Sequence, residues 1–302
     1  MKETFDCIII GAGVAGTTAS IYLKRWNFNI LLLEKNMPGG IISNTSIIEN
    51  YPGVKKIDGS TFAMNLYEQI KELDINYKYG NASEITQKNN LFIVNTDLGN
   101  YQTKSIIIAT GRTPRKLNLE NEDKLIGNGI SYCATCDGLL YKDKEVCVIG
   151  GGNSALEESL YLSKICKKIT IINRGSKLRA DEILIEKVKN TANIEVMYNS
   201  NIIKLKEKQN KLTNIIIKKE NETKELLCHG LFIYIGFEPI IPNVPNLKLN
   251  DNYIVVDEKM QTNIDNICAC GDIIKKDLYQ IITAAGEGAT AANTIKNNLN
   301  KD

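Results

Sequence analysis

The chain has 302 residues, with 37 lysines and arginines against 35 aspartates and glutamates, and a formal net charge of +2. That length suits about two domains, and 43% hydrophobic with 24% charged residues is ordinary for a globular protein. The near-neutral balance argues against nucleic acid or an anionic membrane as partner. No apolar run approaches the roughly 20 residues needed to span a bilayer, and no signal peptide precedes the first apolar run, so the expected setting is cytoplasmic, without a membrane.

Residues 6–10 read as a strand, Gly11, Gly13 and Gly16 as a turn, 17–26 as a helix, and 30–33 as a second strand ending in Glu34. This is a complete βαβ unit for a dinucleotide. Its glycines serve a tight turn, close approach to a pyrophosphate, and close helix–sheet packing. The helix N-terminus offers free N–H groups to phosphate. Glu34 falls where a carboxylate accepts from a ribose 2′-OH, so the ligand is FAD or NAD, with an unphosphorylated ribose. Two turn-rich stretches, 37–41 and 48–53, come next. Residues 61–73 carry a helical period, and 75–108 break into strands and hairpins. The last of these strands, 105–109, stops at Thr110-Gly111-Arg112-Thr113-Pro114.

The scheme then repeats. Residues 145–149 read as a strand, Gly150, Gly152 and Ala155 as the turn, 154–163 as a helix, and 168–172 as the next strand. An apolar strand followed by a Gly-x-x-Pro turn, 231–239, parallels the segment ending at Pro114, an internal repeat. After Pro242 and Pro245 come 254–257 and a strand at 267–270 that ends at Gly271-Asp272. Residues 280–298 form a helix of small residues that something flat can approach, with its positive end favouring negative charge.

At the second turn the residue matching Glu34 is Asn173, and Arg174 and Arg179 follow. An acid there would repel a 2′-phosphate, whereas arginine binds one with charge-assisted hydrogen bonds. The first site is therefore read as an FAD site and the second as an NADPH site. The alternative is that both arginines are ordinary surface residues after a strand.

Eight cysteines suit a disulfide scaffold only in a short secreted chain. Cys7, Cys147 and Cys228 sit in or beside apolar runs, and Cys268-Ala269-Cys270 ends one, which reads as buried small hydrophobes. The single histidine, His229, argues against a His zinc site or a Ser-His triad, and no metal is expected. Cys133-Ala134-Thr135-Cys136 differs. Zinc wants four ligands and no second pair of cysteines or Cys/His at ligand spacing is present. A static disulfide conflicts with a reducing compartment. The remaining reading is a redox-active dithiol, one thiol attacking and the other resolving. Asp137, next in the chain, is the natural proton carrier; the alternative is that Asp137-Gly138 is a plain turn.

With these residues in view, the chain resembles the low-molecular-weight, bacterial-type thioredoxin reductases over essentially its whole length. The carriers are GAGVAG (11–16), PGG (38–40), IENYPG (48–53), ATG (109–111), YCATCDG (132–138), VIGGGNSALEE (148–158), RGSKLRA (174–180), IGFEP (235–239), CGD (270–272) and ITAAGEGATAA (282–292). The resemblance implies an α/β fold of two Rossmann-like, three-layer dinucleotide-binding domains. The FAD domain is discontinuous, 1–113 plus 242–302, and an NADPH domain, 114–241, carries the cysteines. It implies a homodimer that reduces thioredoxin, whose NADPH domain swings between two orientations.

It also implies roles. Cys136 faces the flavin, Cys133 attacks thioredoxin, and Asp137 is the acid/base. FAD is held by Gly11, Gly13, Ala15 and Gly16, by Glu34, Lys35, Gly39, Gly40 and Ile41, by Asn50, Thr110 and Gly111, and by Gly271, Asp272, Gln280 and Ile281, with Asp272 reaching the ribityl or phosphate region. NADPH is held by Gly150, Gly152, Asn153, Ser154, Ala155, Glu157, Arg174 and Arg179. Three departures stand out. Ile41 replaces a glutamine, Tyr279 precedes Gln280 where the family has arginine, and His-Arg-Arg-x-x-x-Arg has become Asn173-Arg174-Gly175-x-x-x-Arg179. Some relatives with eroded nicotinamide motifs take electrons from ferredoxin instead, so a ferredoxin- or NADH-linked enzyme is the alternative. A flavin-binding redox sensor with a Cys133–Cys136 switch is the remoter one.

Overall fold

Strand β1 (Thr4–Ile10) is apolar on both faces, so both must be covered. Cys7 and Ile9 face one hydrophobic cluster and Phe5, Ile8 and Ile10 face another. The strand opens a computed structural model that describes residues 4–45, 48–220 and 222–300. The chain forms two units, Met1–Thr113 with Glu238–Asp302, and Pro114–Phe237.

In the first unit β1 leads into α1 (Val14–Arg25), whose last turn carries Lys24 and Arg25 against the negative end of the dipole. The helix begins earlier than the expected residue 17 because the extended residue of the turn is Gly13, and Gly16 already lies inside the helix. Then follow β2 (Ile30–Glu34) and α2 (Gly59–Glu72), the latter capped by Asp58 accepting from Thr61 N at 2.9 Å. Strands β3 (Tyr77–Tyr79), β4 (Ala82–Lys88), β5 (Leu91–Thr96) and β6 (Gly99–Ile108) complete a sheet of order β3-β2-β1-β6-β5-β4. Strands β1, β2, β3 and β6 are parallel, and β4-β5-β6 is an antiparallel meander. Strand β7 (Arg112–Pro114) carries the chain out.

The second unit holds α3 (Glu122–Leu125), β8 (Ile130–Ser131), α4 (Ala134–Asp137), β9 (Glu145–Ile149), α5 (Asn153–Leu162) and β10 (Lys168–Ile172). After α6 (Glu182–Lys189) and β11 (Ile194–Met197) come the meander β12 (Ser200–Lys208), β13 (Lys211–Lys219), β14 (Glu222–Leu227), and then β15 (Gly230–Ile233). Order β11-β10-β9-β15-β8 makes a fully parallel sheet. Val146 and Val148 face Ala155, Leu156 and Leu162 of α5, while Cys147 and Ile149 face Leu205, Leu212 and Ile215 of the meander. Both units are thus Rossmann-like and layered alike: helices, parallel sheet, antiparallel meander.

The first unit resumes at Glu238, ahead of the Pro242 turn where the sequence reading sets the boundary. Strand β16 (Phe237–Pro239) spans the crossing, β17 (Leu249–Asn250) and β18 (Tyr253–Ile254) form a hairpin, and β19 (Ile267–Ala269) pairs with the end of β6. Helix α7 (Ile281–Leu299) then lies on α1. Its small residues allow the contact: a Cβ on Gly288 would stand 2.2 Å from the Ala15 carbonyl oxygen. No helix among the described residues is long and apolar enough to cross a membrane.

Two neighbouring glycines of α7 should therefore respond oppositely. Gly288→Ala is expected to lose about 1–3 kcal/mol by overpacking. Gly286→Ala, whose Cβ would meet nothing within 4 Å, should gain about 0.5–1 kcal/mol. Denaturant midpoints measure both, and a stable Gly288→Ala would contradict the helix contact.

Candidate active site

The first glycine turn is built from backbone approach. A Cβ on Gly16 would stand 1.8 Å from the Gly11 carbonyl oxygen, and one on Gly11, at φ +106°, 2.4 Å from the Ala109 oxygen. Over Gly13 and Gly111 an added Cβ meets nothing within 4 Å, so space lies open above the first turn of α1. Ala15 is buried in that turn. Glu34 ends β2 with both carboxylate oxygens placed: Oε2 accepts from Ala12 N at 2.7 Å and Oε1 from Asn36 N at 2.9 Å. Each oxygen retains a lone pair for a ribose hydroxyl. A cavity of about 240 Å³ opens beside it, lined by Gly11, Glu34, Lys35, Thr110, Ile240 and Pro242. It lies at the carboxyl ends of parallel strands, where such sheets bind ligands.

Gly39 N donates to Ala12 O at 2.8 Å, and Gly39 and Gly40 hold φ of +108° and +61° beside the turn. Ile41 is 40% exposed. On the returning chain, Gly271 N donates to Glu287 Oε2 at 2.9 Å, and Lys276 reaches the same carboxylate at 2.8 Å. Burial raises the Glu287 carboxyl despite those donors. Asp272 accepts from Arg112 Nη2 at 2.8 Å, and the Arg112 guanidinium lies 3.9 Å above the Tyr279 ring. Gln280 caps α7 and its Oε1 accepts from Asn50 Nδ2 at 3.0 Å, with Ile281 opening the helix. Sequence reading missed Arg112, Glu287 and the Ile240–Pro242 wall, because nothing local marks a partner so far along the chain.

The second turn repeats the geometry. A Cβ on Gly150 would stand 2.3 Å from the Tyr234 oxygen and 3.0 Å from Ala155 Cβ, while Gly152 faces open space. Asn173 is buried under Gly151, and its Nδ2 donates to Gly175 O at 3.1 Å and Lys177 O at 2.9 Å. Its side chain braces its own loop. Arg179 N closes the loop on Gly151 O at 2.6 Å. Arg174 and Arg179 are exposed and make no ion pair among the described residues, as are Ser154 and Glu157 on α5. Asn153 is tied to Asp181 by two hydrogen bonds of 2.9 Å.

Cys133 and Cys136 are joined in a disulfide. Cys133 occupies the N-cap of α4 and its Sγ accepts from Cys136 N at 3.1 Å. Cys136 is exposed and Cys133 half-buried. Ser131 Oγ accepts from Cys133 N at 3.0 Å and donates to Asp137 Oδ2 at 2.6 Å. The Tyr234 hydroxyl accepts from Ala134 N at 2.8 Å. The turn and its acid are thus pinned from β8 and from beyond β15, by Ser131 and Tyr234, neither of which carries a sequence signal. The six remaining cysteines are buried thiols. Burial pushes Cys7 up to about 12 and Cys166 to about 11, with Cys228, Cys268 and Cys270 moved the same way, which leaves them poor nucleophiles.

Two dinucleotide-type glycine turns and a short-range disulfide on one chain are the parts that electron transfer between a nucleotide and a disulfide requires. Residues 5–288 match the profile described as pyridine nucleotide-disulphide oxidoreductase, and the chain belongs to that family. Thioredoxin reductase of Bacillus subtilis is 36% identical over 299 residues, covering 98% of this chain and 95% of the relative. That of Mycoplasma genitalium is 41% identical over 305 residues, covering 98% and 95%. The solved thioredoxin reductase of Lactococcus lactis superposes with a TM-score of 0.90 at 38% identity, covering 99% of this chain and 100% of that one.

Ser131→Ala removes the acceptor of the Cys133 N–H. Hydrogen exchange at that amide should accelerate about tenfold, the worth of one hydrogen bond. Unchanged protection would show that Ser131 does not hold the turn.

Proposed function

We propose that the chain reduces the disulfide of a thioredoxin with NADPH as electron donor, FAD held by the first unit, and Cys133 and Cys136 as the exchanging pair. The observation carrying this reading is the Cys133–Cys136 disulfide on a helical turn, in a chain that also bears two open glycine turns. The first site suits FAD: Glu34 keeps lone pairs free for a ribose, a cavity opens beside it, and a Cβ on Gly13 would meet nothing within 4 Å. The residues holding FAD would be those named from Gly11 to Gly111 and from Gly271 to Ile281. NADPH would lie over Gly150, Gly152 and Ala155, with Asn153, Ser154 and Glu157 alongside and Arg174 and Arg179 toward a 2′-phosphate. When bound, flavin supplies the ability to take an electron pair from a nicotinamide and deliver it to a disulfide.

The chain's own residues then perform the exchange. The Cys133 sulfur, at the N-cap and hydrogen-bonded by Cys136 N, is the better-stabilised thiolate and is assigned the attack on the partner disulfide. A mixed disulfide forms and the partner's other sulfur leaves as thiolate, to be protonated. Cys136 then attacks the Cys133 sulfur, restoring the internal disulfide and freeing the second partner thiol. Asp137, oriented by Ser131, supplies and accepts the protons. Leu139 and Leu140, 68% and 65% exposed immediately after the motif, give a protein substrate an apolar surface to meet. In this reading the enzyme is a homodimer of the cytoplasm, a compartment that keeps the buried thiols reduced.

A second reading keeps FAD and the dithiol but takes electrons from ferredoxin or NADH. It is favoured by Gly175 standing beside Arg174 and by Asn173 being consumed within its loop. Anaerobic stopped-flow mixing with each donor separates them: NADPH should reduce the flavin on the catalytic timescale, and flavin left oxidised by NADPH alone would overturn that donor. Multiple turnovers with excess thioredoxin would dispose of a stoichiometric sensor.

Two variants test the assignments. Cys136→Ser should still allow flavin reduction by the donor yet stop thioredoxin turnover, and continued turnover would contradict its role. Arg174→Ala should weaken NADPH by about 1.5–3 kcal/mol, the worth of a charged hydrogen bond, with little effect on NADH. Equal losses in titration calorimetry would remove Arg174 from the phosphate site.

A further inference from the structure

Glu158 is placed unusually for a glutamate. It sits on α5 between Ala155 and Leu162, which belong to the cluster that buries Ala134 of the cysteine turn. Its Oε2 is buried and is the one such side-chain oxygen or nitrogen among the described residues without a hydrogen-bond partner. No lysine or arginine pairs with it among those residues. An orphaned carboxylate oxygen in such a place is expensive unless a proton can be added to it.

The charge that acts on it has its own sign. Glu157 adjoins it on α5, and Tyr234 approaches from beyond β15. The charges of Glu158 and of Asp137 on α4 both act on the Tyr234 phenol. Burial, the Glu158 charge and then Asp137 raise the Tyr234 phenol well above its usual range. Burial first, and the Glu157 charge second, push the Glu158 carboxyl up to about 7. The Tyr234 hydroxyl accepts from Ala134 N, the residue next to Cys133. The phenol on which the Glu158 charge acts is thus hydrogen-bonded to the amide next in the chain to the sulfur that gains charge.

Reduction of the disulfide breaks the S–S bond, takes up two electrons from the donor proposed above and one proton, and leaves a Cys133 thiolate with a Cys136 thiol. We propose that Glu158 is a positioning residue for this dithiol. Acting through Tyr234, it couples its own protonation to the charge on Cys133, so that reduction draws a further proton onto Glu158 and ionised Glu158 disfavours the thiolate. Like charges oppose one another's ionisation, and the coupling is reciprocal. The inference rests on Cys133 being the attacking thiol, but its test needs neither flavin, nucleotide nor thioredoxin.

The whole chain is reduced with dithiothreitol, desalted anaerobically and alkylated with iodoacetamide from pH 6 to 10, with adducts at Cys133 quantified by mass spectrometry. The Glu158→Gln to wild-type rate ratio should be near one at pH 6, where Glu158 is protonated. It should rise to about threefold or more near pH 8 and return toward one once the thiol is fully ionised. Glu158→Asp, which keeps a carboxyl, should stay near one throughout. A ratio constant with pH, or Glu158→Asp behaving as Glu158→Gln, would overturn the proposal. Should Glu158→Gln fail to fold, reduction-induced infrared difference spectra decide: wild type at pH 7 should gain a protonated-carboxyl band that shifts in Glu158→Asp. No gain, or a band that does not shift, overturns it equally.

Discussion

Both units depend on backbone approaching backbone where no side chain can stand. Gly16 must lie against the Gly11 carbonyl, and Gly150 against the Tyr234 carbonyl, for the strand to turn directly into its helix. A Cβ on Gly13 or Gly152 would meet nothing within 4 Å, so the first N–H groups of α1 and α5, which lack helical partners, have room beside them for a ligand. The same economy of bulk recurs where α7 meets α1, since Gly288 admits the Ala15 carbonyl. The anion-accepting ends of the two helices are thus consequences of packing geometry, and the sites follow from the fold rather than being added to it.

The cysteine turn is governed by a different balance. A four-residue helix has too few aligned peptides to stabilise a thiolate by its dipole alone, so the individual N–H of Cys136 carries that role at Cys133. Asp137 follows it in the chain, and Tyr234, on which the Glu158 charge acts, is hydrogen-bonded to Ala134 N. The sulfur is activated by a hydrogen bond and, in the proposal above, restrained by the Glu158 carboxylate. A dithiol poised in this way can accept electrons and also release them to another disulfide, as relay chemistry requires.

Much of this was legible from the amino acids. Glycine spacing, flanking apolar runs and Glu34 located the first βαβ unit, and the same pattern around Gly150 located the second, because both rest on local geometry. Cys133 and Cys136 declared themselves by spacing. The meander from Ser200 to Leu227 was not read, since its strands mix lysine and isoleucine without clean alternation. Arg112 on Asp272, Tyr234 on Ala134 and Ser131 on Asp137 were invisible for another reason. Two of the three pair residues 100 or more positions apart, and the third is one serine among many. In sequence Asn173 is legible only as the residue that replaces an acid, since its bonds to the Gly175 and Lys177 carbonyls depend on how the loop folds.

In the proposed cycle a flavin and the Cys133–Cys136 disulfide share electrons within one chain. Anaerobic reductive titration of the FAD-loaded protein, followed in the visible spectrum and by thiol mapping, addresses it most directly. Two reducing equivalents beyond those needed to bleach the flavin should be consumed, and two new thiols should appear, at 133 and 136. A titration that ends with the flavin, leaving that disulfide intact, would contradict it.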